Sequence, residues 1–506
     1  MKTINFEVNM PIPKEILNVE RPKNTNVICY GKNKDKFAVR ERIGCKNVNG
    51  RHLPINGAVI GHIVNFQYVP ISTIPTVSKS PIDLLKWGAV QLCDNLAKDL
   101  LDELKKVYND SDALKIYLIA ILRTCDTGIT NYELKQAYEE SFLSILHPNA
   151  SLSKNTITTF LKDLGKASSK IKEFMTERIK KVDIKDNILI DGTLKSNDSQ
   201  VNTLSDFSRK SITKGTKDIS LIHAFDLEMY EPICSSCYPG NALEYNIYQS
   251  FLETNNLSKG IIVTDKGFPA VAAESYFKEN PDLHFLNPVK RNRKFITTFK
   301  LYDFTHTLTG YEGITYTKYH DPETNKYYYS YRDVKKASIE ESDWLKQAVK
   351  KKNYSLKTLE KKRRYFGTIV LESDLDLDPV VIYKMYMTRW EIEVVAKYYK
   401  NTCDFDETRV HNDYSVIGSE FCNFLATIIT FRLIKKFDQA DLLKNSNYGK
   451  IMKLLDRAMK VRDKKDQWKL VNLNKGELEK LVQLSLIQSP SKPGERKVGR
   501  PKKVEI

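Results

Sequence analysis

The sequence predicts an α/β protein in which a mixed β-sheet is flanked by helices. Two observations lead to this prediction. Between residues 186 and 288, apolar runs of strand length alternate with segments of helical periodicity. Two of those runs are short, rich in branched aliphatic residues and bounded by glycine, which is typical of buried strands. The chain has 506 residues, 41% of them apolar, so it is long enough to form two or three cores.

The order of the elements narrows the fold further. Strands are expected at 187–191, 219–226, 232–238, 260–264 and 283–287, and helices at about 243–253 and 268–278. Three strands, a helix, a strand, a helix and a strand follow one another in an RNase H-like fold. That fold brings the ends of the first and fourth strands together, so the residues that follow them are candidates for a functional site.

Changes in composition divide the chain into predicted domains. Val27–Tyr30 and Phe37–Val39 are short apolar strands, a linker with proline and serine follows, and leucines keep a helical rhythm from Leu84 to Leu104. The predicted division is an N-terminal small β module and linker (1–80), a helical domain (81–182), the first part of the RNase H-like catalytic core (183–290), a β-rich insertion (291–372), the second part of the core (373–436), and a C-terminal helical region with a basic tail (437–506).

The insertion is predicted to contain a tyrosine-rich hairpin. Tyr311–Tyr319 and Lys326–Arg332 have strand character and are joined by the turn-forming segment 321–325. Basic clusters follow at Lys350–Lys352 and Lys361–Arg364. A basic surface interleaved with tyrosines suits a groove for a DNA backbone. A two-sided hairpin with a charged helix packed on it fits the same residues.

The charge balance favours an acidic polymer as the partner. The formal net charge is +17 and the isoelectric point is about 9.2, which puts DNA first, although a lysine-rich composition gives the same values without any ligand. No segment reaches roughly 18 apolar residues, and no signal peptide opens the chain, so we expect a cytoplasmic protein that makes no membrane contact. Among eight cysteines only Cys234 and Cys237 form a C-x-x-C pair, which we interpret as buried strand residues.

The segment around residue 390 combines charged and aromatic side chains at helical spacing. On a helix, Tyr386, Arg389, Glu393 and Lys400 project within an arc roughly 60° wide. Glu391 points to nearly the opposite side, so the geometry selects Glu393. A carboxylate flanked by cations can hold a metal while the cations grip phosphates. The alternative is a solvated face with an i,i+4 charge pattern.

Two aspartates at predicted strand ends favour the metal site. Asp191 ends an apolar run and precedes Gly192, and Asp265 ends another and precedes Lys266. A side chain at the carboxyl end of a strand faces whatever binds at the rim of the sheet, although either aspartate alone is typical of a turn or a helix cap. Together with Glu393 they form a possible three-carboxylate site for two divalent cations about 4 Å apart.

These residues resemble the DDE transposases of bacterial insertion sequences, in the branch that carries a Tyr-x2-Arg-x3-Glu-x6-Lys signature. Tyr386, Arg389, Glu393 and Lys400 match that signature without a gap, and Trp390 matches the tryptophan that usually follows its arginine. The resemblance therefore covers every member of the polar helix face.

The acidic motifs of the same family also have counterparts. Asp191-Gly192-Thr193 resembles the first motif, and Asp265-Lys266-Gly267-Phe268 resembles the second, with Lys266 where the family often has arginine. Tyr238-Pro239-Gly240-Asn241 resembles a further landmark between them. The resemblance is weakest across residues 290–380.

The resemblance implies a DNA transposase that uses Mg²⁺ (or Mn²⁺), two ions per active site, to cleave insertion-sequence ends and transfer the freed strand into target DNA. The residues implied for catalysis and metal binding are Asp191, Asp265 and Glu393, and those implied for DNA binding are Tyr386, Arg389, Trp390 and Lys400. The implied partners are terminal inverted repeats, target DNA and a second copy of the chain in a homodimeric active complex. A nuclease without strand transfer and a non-catalytic DNA-binding descendant stay open as alternatives.

The C-terminal tail offers a further candidate contact with DNA. Gly499-Arg500-Pro501 with flanking basic residues resembles the core of an AT-hook, whose arginine enters a narrow A·T minor groove. Val498 stands where the usual motif has a second arginine. A disordered, solubilising tail is the alternative.

Overall fold

The fold comes from a computed structural model of the whole chain. It describes residues 12–30, 36–48, 50–71, 84–197, 199–211, 215–351, 355–389, 408, 410–463 and 465–488. The chain divides into two compact units, Met1–Asp83 and Leu84–Ile506. All the described candidate site residues belong to the second unit, and the predicted domain boundaries stay predictions.

The first unit is an antiparallel sheet with a short helix. Its elements are α1 (Lys14–Leu17), β1 (Thr25–Tyr30), β2 (Lys36–Val48), β3 (Arg51–Val64) and β4 (Gln67–Pro70). The strands lie in the order β1-β2-β3-β4, and the predicted strands fall within β1 and β2. A small core of Ile16, Val39 and Ile63 holds this unit together. Gly50 has a φ of +78° in the turn before β3, a conformation that glycine adopts without steric cost.

The second unit contains the remaining described elements. Its helices are α2 (Gly88–Lys105), α3 (Asp110–Cys125), α4 (Leu134–Glu139), α5 (Leu143–Leu146), α6 (Lys154–Lys166), α7 (Ser168–Ile179), α8 (Glu244–Asn255), α9 (Glu274–Glu279), α10 (Lys294–Thr298), α11 (Val334–Lys350), α12 (Leu356–Arg363), α13 (379–389), α14 (Asp413–Gln439), α15 (Tyr448–Arg457) and α16 (Lys475–Gln483). Its strands are β5 (Leu84–Lys86), β6 (Asn187–Ser196), β7 (Asp206–Phe207), β8 (Lys217–Asp226), β9 (Glu231–Pro239), β10 (Gly260–Thr264), β11 (Leu283–Pro288), β12 (His306–Thr307), β13 (Ile314–Asp321), β14 (Lys326–Asp333), β15 (Thr368–Ser373), β16 (Met459–Arg462) and β17 (Trp468–Val471).

A ten-stranded mixed sheet forms the centre of the second unit. Its order is β12-β13-β14-β15-β11-β10-β6-β8-β7, and β9 also pairs with β8. The strand β8 is antiparallel to both β9 and β6, whereas β10 is parallel to both β6 and β11. Each of the five strands predicted for the core is present, as are α8 and α9. The predicted α/β fold class, with the strand order of an RNase H-like core flanked by helices, is therefore confirmed.

The predicted hairpin of the insertion is present and widens this same sheet. The strands β13 and β14 pair antiparallel, and β14 pairs with β15, which returns the chain to β11. The tyrosines of β14 are buried on both faces: Tyr329 and Tyr331 pack with Leu286, and Tyr328 packs with Val370. This is the two-sided hairpin, so these three rings belong to the core and are not available to a DNA backbone.

The longest helix of the described residues, α14, lies in the core. By length and composition it could cross a membrane, with a mean hydropathy of 1.3 in its most apolar window, but 78% of that window is buried within the protein. Phe421, Leu425 and Ile428 belong to the main hydrophobic cluster together with residues of α3 and α6. Its apolar character therefore has a packing explanation.

Two secondary-structure predictions were wrong. Leu84 and Leu85 were counted in a helix, but they form β5, which pairs with β16. The region 437–506 was predicted to be helical with a basic tail, but it also contains the antiparallel hairpin of β16 and β17. The strand β5 depends on pairing with β16 across a long separation in sequence, whereas β16 and β17 form a local hairpin.

Candidate active site

The first and second aspartates stand side by side at the rim of the sheet. Ile190 of β6 pairs in parallel register with Thr264 of β10, so Asp191 and Asp265 occupy the next position along each strand. Neighbouring strands lie about 4.8 Å apart. Because side chains alternate along a strand, Asp191 shares a face of the sheet with Leu189, two residues earlier. The two segments are adjacent as expected, but the predicted end of the first strand at Asp191 was wrong: Asp265 follows the end of β10, whereas β6 continues through Asp191 to Ser196 because β8 pairs with it along its whole length.

A buried hydrogen-bond network holds the loop that begins with Asp265. The hydroxyl of Thr264 donates to the carbonyl of Phe268 (2.9 Å) and to the side-chain oxygen of Asn287 (2.9 Å), and the Asn287 amide donates to the same Phe268 carbonyl (3.2 Å). Thr264 and Asn287 are 0% and 1% exposed. The Gly267 N–H donates to Oδ1 of Asp265 (2.6 Å), which orients this carboxylate. A buried network of this kind makes the position of Asp265 costly to shift.

A third carboxylate, Glu244, lies against the two glycines of the acidic motifs. It is the first residue of α8, and its Oε1 accepts from Nζ of Lys210 at 2.6 Å. A Cβ atom added to Gly267 would lie 2.0 Å from Oε2 of Glu244, and one added to Gly192 would lie 3.0 Å from Oε1. The Glu244 side chain occupies space that exists only because both positions are glycine.

The helix predicted to carry the third acid packs on the sheet beside β10. Tyr386 and Arg389 of α13 are each 5% exposed, and Tyr386 shares a hydrophobic cluster with Val263 of β10. The guanidinium of Arg389 lies 5.0 Å from the centre of the Tyr386 ring, a cation–π distance. These two predicted DNA contacts are therefore buried. Of the other predicted site residues, Trp390, Glu393, Lys400 and Arg500 lie outside the described residues.

Thr408, the first described residue after α13, is hydrogen-bonded to the end of β6. The N–H of Thr408 donates to the carbonyl of Ser196 (2.9 Å), and the Asn197 side chain donates to the carbonyl of Thr408 (2.8 Å). Next to this contact, Nζ of Lys195 donates to Oε2 of Glu420 at 2.7 Å. Lys195 lies four residues after Asp191 on β6, so the two side chains project from the same face of the sheet. Tyr386, before residues 390–407, therefore packs with β10, and Thr408, after them, is bonded to β6.

The carboxylate pair has the donor chemistry of a divalent-cation site. Asp191 and Asp265 offer hard oxygen ligands, the type that Mg²⁺ and Mn²⁺ prefer. Within the described ranges, no group of three or more His, Cys, Asp or Glu side chains is arranged to hold a metal ion. Asp191 and Asp265 therefore suit a divalent cation as two of its ligands, and Glu393 remains the predicted third ligand.

The cysteines of the C-x-x-C pair lie on a strand, as expected. Cys234 and Cys237 lie on β9, and burial raises the pKa of both thiols. A raised pKa keeps a thiol protonated and unreactive, which agrees with two structural strand residues.

A cleft of about 760 Å³ opens at the rim, beside the two acidic motifs. Gly192, Gly267 and Glu372 are among the residues that line it. Basic side chains dominate its walls: Arg209, Lys210, Lys266, Lys290, Arg293 and Lys326, against the carboxylates Glu244 and Glu372. A concave surface with this excess of positive charge focuses its field on an anionic ligand.

The electrostatics of the cleft agree with its composition. Burial and the neighbouring Arg291 charge lower the pKa of the Lys266 ammonium. Burial raises the pKa of the Glu372 carboxyl, although Lys326 and Arg293 oppose that shift. Both shifts express the cost of charge in a partly desolvated place. An incoming phosphate would relieve the cost for the cations.

Apart from residues of the quoted motifs, such as Lys266, the charged residues of the cleft were not found from the sequence. One signal was present, since a basic run, Lys290–Lys294, follows β11 directly. The other cations come from distant segments, Arg209–Lys210 and Lys326, and only the sheet brings them together. Glu244 had no signal beyond its place at the start of a helix, where carboxylates are common.

Comparison with known proteins finds a family model that matches this part of the chain. Residues 183–416 match the family model described as "Transposase DDE domain". The match spans both aspartates, the cleft strands and the position of Glu393, and somewhat under half of the chain. No curated protein matches. Among solved structures, a piggyBac transposase synaptic complex with hairpin DNA is similar, with 13% identity and a TM-score of 0.37 over 73% of this chain and 80% of that one.

Proposed function

We propose that the protein is a DNA transposase that cleaves the ends of an insertion sequence and joins them to target DNA. The observation that carries the proposal is the adjacent placement of Asp191, within β6, and Asp265, directly after β10, next to residues that line a basic cleft. The match of this segment to the transposase DDE domain supports it. A basic protein of this kind would act on DNA in the cytoplasm, as at least a dimer when it joins two ends.

In this proposal each acid has a defined task. Asp191 and Asp265 hold two divalent cations, Mg²⁺ or Mn²⁺, and Glu393 completes the set. The bound ions would activate a water or a 3′ hydroxyl and stabilise the leaving oxygen of the phosphodiester. The Gly267 N–H keeps Asp265 Oδ1 in place, so that carboxylate needs little reorganisation when the site loads.

The cations have a second task. We propose that Lys400 and Arg389 contact phosphates near the cleaved bond, that Tyr386 and Trp390 lie beside the end nucleotides, and that Arg500 of the tail contacts a minor groove. Tyr386 and Arg389 are buried against each other. Their contact with DNA therefore requires a local opening of this packing.

The test separates chemistry from DNA binding. Asp191→Asn, Asp265→Asn and Glu393→Gln should each abolish Mg²⁺-dependent cleavage of a labelled duplex that carries the terminal repeat, and leave the Kd for that duplex within about twofold. The matched control is Asp282→Asn, an exposed aspartate at the opposite end of β11, which should cleave like the parent protein. Full cleavage by a variant would remove that acid from the site.

The same assay tests the two alternatives. Cleavage without joining of the 3′ end to a target would support the nuclease. Tight binding of the repeat without cleavage in either Mg²⁺ or Mn²⁺ would support the non-catalytic DNA-binding descendant.

A further inference from the structure

His223 is the cross-strand neighbour of Asp191. The two residues are directly paired in the antiparallel ladder of β8 and β6. Side chains of residues paired in this way project from the same face of the sheet, and their Cβ atoms lie about 4.5–5.5 Å apart. An imidazole and a carboxylate at such positions can reach one another. No motif of the sequence marks His223, because only the pairing of β6 with β8 brings it next to the aspartate.

Along β8, His223 interrupts an apolar stripe. Its neighbours on the same face are Ile219, Leu221 and Phe225, which are all buried. In the fully described range 218–226, His223 is the single residue that is not buried. A polar side chain in an apolar stripe requires a polar partner or an open side, since burial without one is costly. Packing alone therefore does not explain a histidine at this position.

The open side is a row of partly exposed polar residues that crosses the sheet. The strand registers place Asp265, Asp191, His223 and Ser235 side by side in that order. All four are partly exposed, whereas the residues that precede Asp191 and Asp265 on their strands, Ile190 and Thr264, are buried. The row contains both aspartates of the candidate active site, and the imidazole lies next to one of them.

The helix α14 covers the same face of the sheet on both sides of this row. Phe431 of α14 packs with Leu189 and Phe225 on one side. On the other side, Glu420 of α14 is paired with Lys195, four residues past the aspartate of β6. The row is thus left open between two places where the helix contacts the sheet. A cation bound by the two aspartates would lie in this opening, within the surroundings of the imidazole.

A carboxylate that binds a metal ion is usually held in place by a hydrogen bond from outside the coordination sphere. Loss of such a partner costs about 10–100-fold in metal affinity or activity. For Asp265 the partner is the N–H of Gly267, which donates to Oδ1 at 2.6 Å. For Asp191, the neighbouring position on β8 offers an imidazole, and an imidazole N–H can serve the same purpose.

We propose that His223 is the positioning residue of Asp191, and that an imidazole N–H donates to one carboxylate oxygen and leaves the other oxygen to the divalent cation. The inference rests on the proposed function, because it concerns the metal site at which Asp191 would act. A neutral imidazole has one donor nitrogen, so it can hold the carboxylate without adding a charge beside the cation. The imidazole stays outside the coordination sphere, since Mg²⁺ prefers oxygen ligands.

The first test measures metal binding without turnover. Mn²⁺ is titrated into the full-length protein without DNA, and the free ion is measured by its electron paramagnetic resonance signal. His223→Met and His223→Gln are a matched pair, because both side chains are unbranched and only glutamine keeps an N–H donor. His223→Met should raise the Kd for Mn²⁺ at least about tenfold, and His223→Gln should recover most of the affinity. Leu221→Met, two residues away on the same face, is the control and should keep the parental Kd.

The second test separates positioning from folding. In cleavage of the terminal-repeat duplex, His223→Met should raise the Mn²⁺ concentration that gives the half-maximal rate, and saturating Mn²⁺ should restore most of the rate. A packing defect would instead lower the rate at every Mn²⁺ concentration. Urea unfolding checks each variant, and His223→Leu replaces the methionine variant if that variant does not fold. A parental Kd in His223→Met, equal Kd values in His223→Met and His223→Gln, or an equal rise in Leu221→Met would overturn the proposal.

The outcome is separable from that of the proposed function. If Asp191→Asn abolishes Mn²⁺ binding while His223→Met binds Mn²⁺ like the parent protein, the positioning role is wrong and the proposed metal site stands. If Asp191→Asn binds Mn²⁺ like the parent protein, the assignment of the acid is wrong, and the role of His223 is wrong with it.

Discussion

Removal of the Lys195 ammonium should strongly destabilise the second unit. Lys195 and Glu420 form an ion pair at 2.7 Å, with side chains only 9% and 6% exposed. Glu420 otherwise accepts from Thr408 Oγ1 (3.1 Å) and Asn423 Nδ2 (3.2 Å), both neutral. Lys195→Met therefore leaves a buried carboxylate with two neutral donors and the nearby charge of Arg123 but no ion-pair partner among the described residues, at a cost of about 3–5 kcal/mol. That is a large share of a total stability of about 5–15 kcal/mol.

The assay is urea unfolding of the full chain, followed by circular dichroism at neutral pH. The midpoint should fall in Lys195→Met and recover in large part when Glu420→Leu is added, since replacing both members of a buried pair is often neutral. Lys346→Met is the control, because the Lys346–Asp343 pair is 75% and 60% exposed and such pairs contribute about 0–1 kcal/mol. Equal midpoints in Lys195→Met and Lys346→Met would refute this reasoning.

The same pair predicts a pH dependence. Burial alone would raise the pKa of the Glu420 carboxyl, but Lys195, Asn423 and Arg123 hold it below its ordinary value. A lowered folded-state pKa gives stability that is present above the unfolded value, about 4.3, and is lost as the pH falls. Because Thr408 also binds Glu420, loss of the pair should release the anchor of the chain on β6.

Two further predictions follow from the site. Gly267→Ala would place its Cβ 2.0 Å from Oε2 of Glu244 and 2.9 Å from Oδ1 of Asp265, so single-turnover cleavage should fall about a hundredfold, as for a 1 Å displacement of a reacting group. The control is Gly128→Ala, which has open space around its Cβ and should cleave normally. Equal cleavage rates in the two variants would refute the argument. Since the pKa of the Glu372 carboxyl is raised, its protonation as the pH falls removes a negative charge from the cleft, so the measured affinity for DNA should increase toward acid pH, and Glu372→Gln should flatten that profile.

The parts of the fold that the sequence could predict are those with a local signal. The strands β6 and β10 begin with apolar runs that precede Asp191 and Asp265, so both their existence and the adjacency of these aspartates could be inferred, although β6 continues past Asp191 to Ser196. The hairpin of β13 and β14 had the same kind of signal in its turn, 321–325. In each case the order of apolar and turn-forming residues within a short segment is enough to predict the strand or the hairpin.

Other features depend on pairing over long distances and could not be inferred. Leu84–Lys86 has the rhythm of a helix but becomes a strand because β16 pairs with it. Arg389 has the spacing of an exposed polar face, yet the Tyr386 ring and the sheet bury it. Periodicity gives the direction of a side chain from its own helix, but it contains no information on what covers that face.

The central claim is that the edge formed by Asp191 and Asp265 carries out both cleavage and joining of DNA ends. The most direct measurement uses a pre-cleaved end with a free 3′ hydroxyl, a target plasmid and Mg²⁺, with the parent protein beside Asp265→Asn and the control Asp282→Asn. The account predicts joined product with the parent and the control, and none with Asp265→Asn. Joining at the parental rate in Asp265→Asn would contradict the claim.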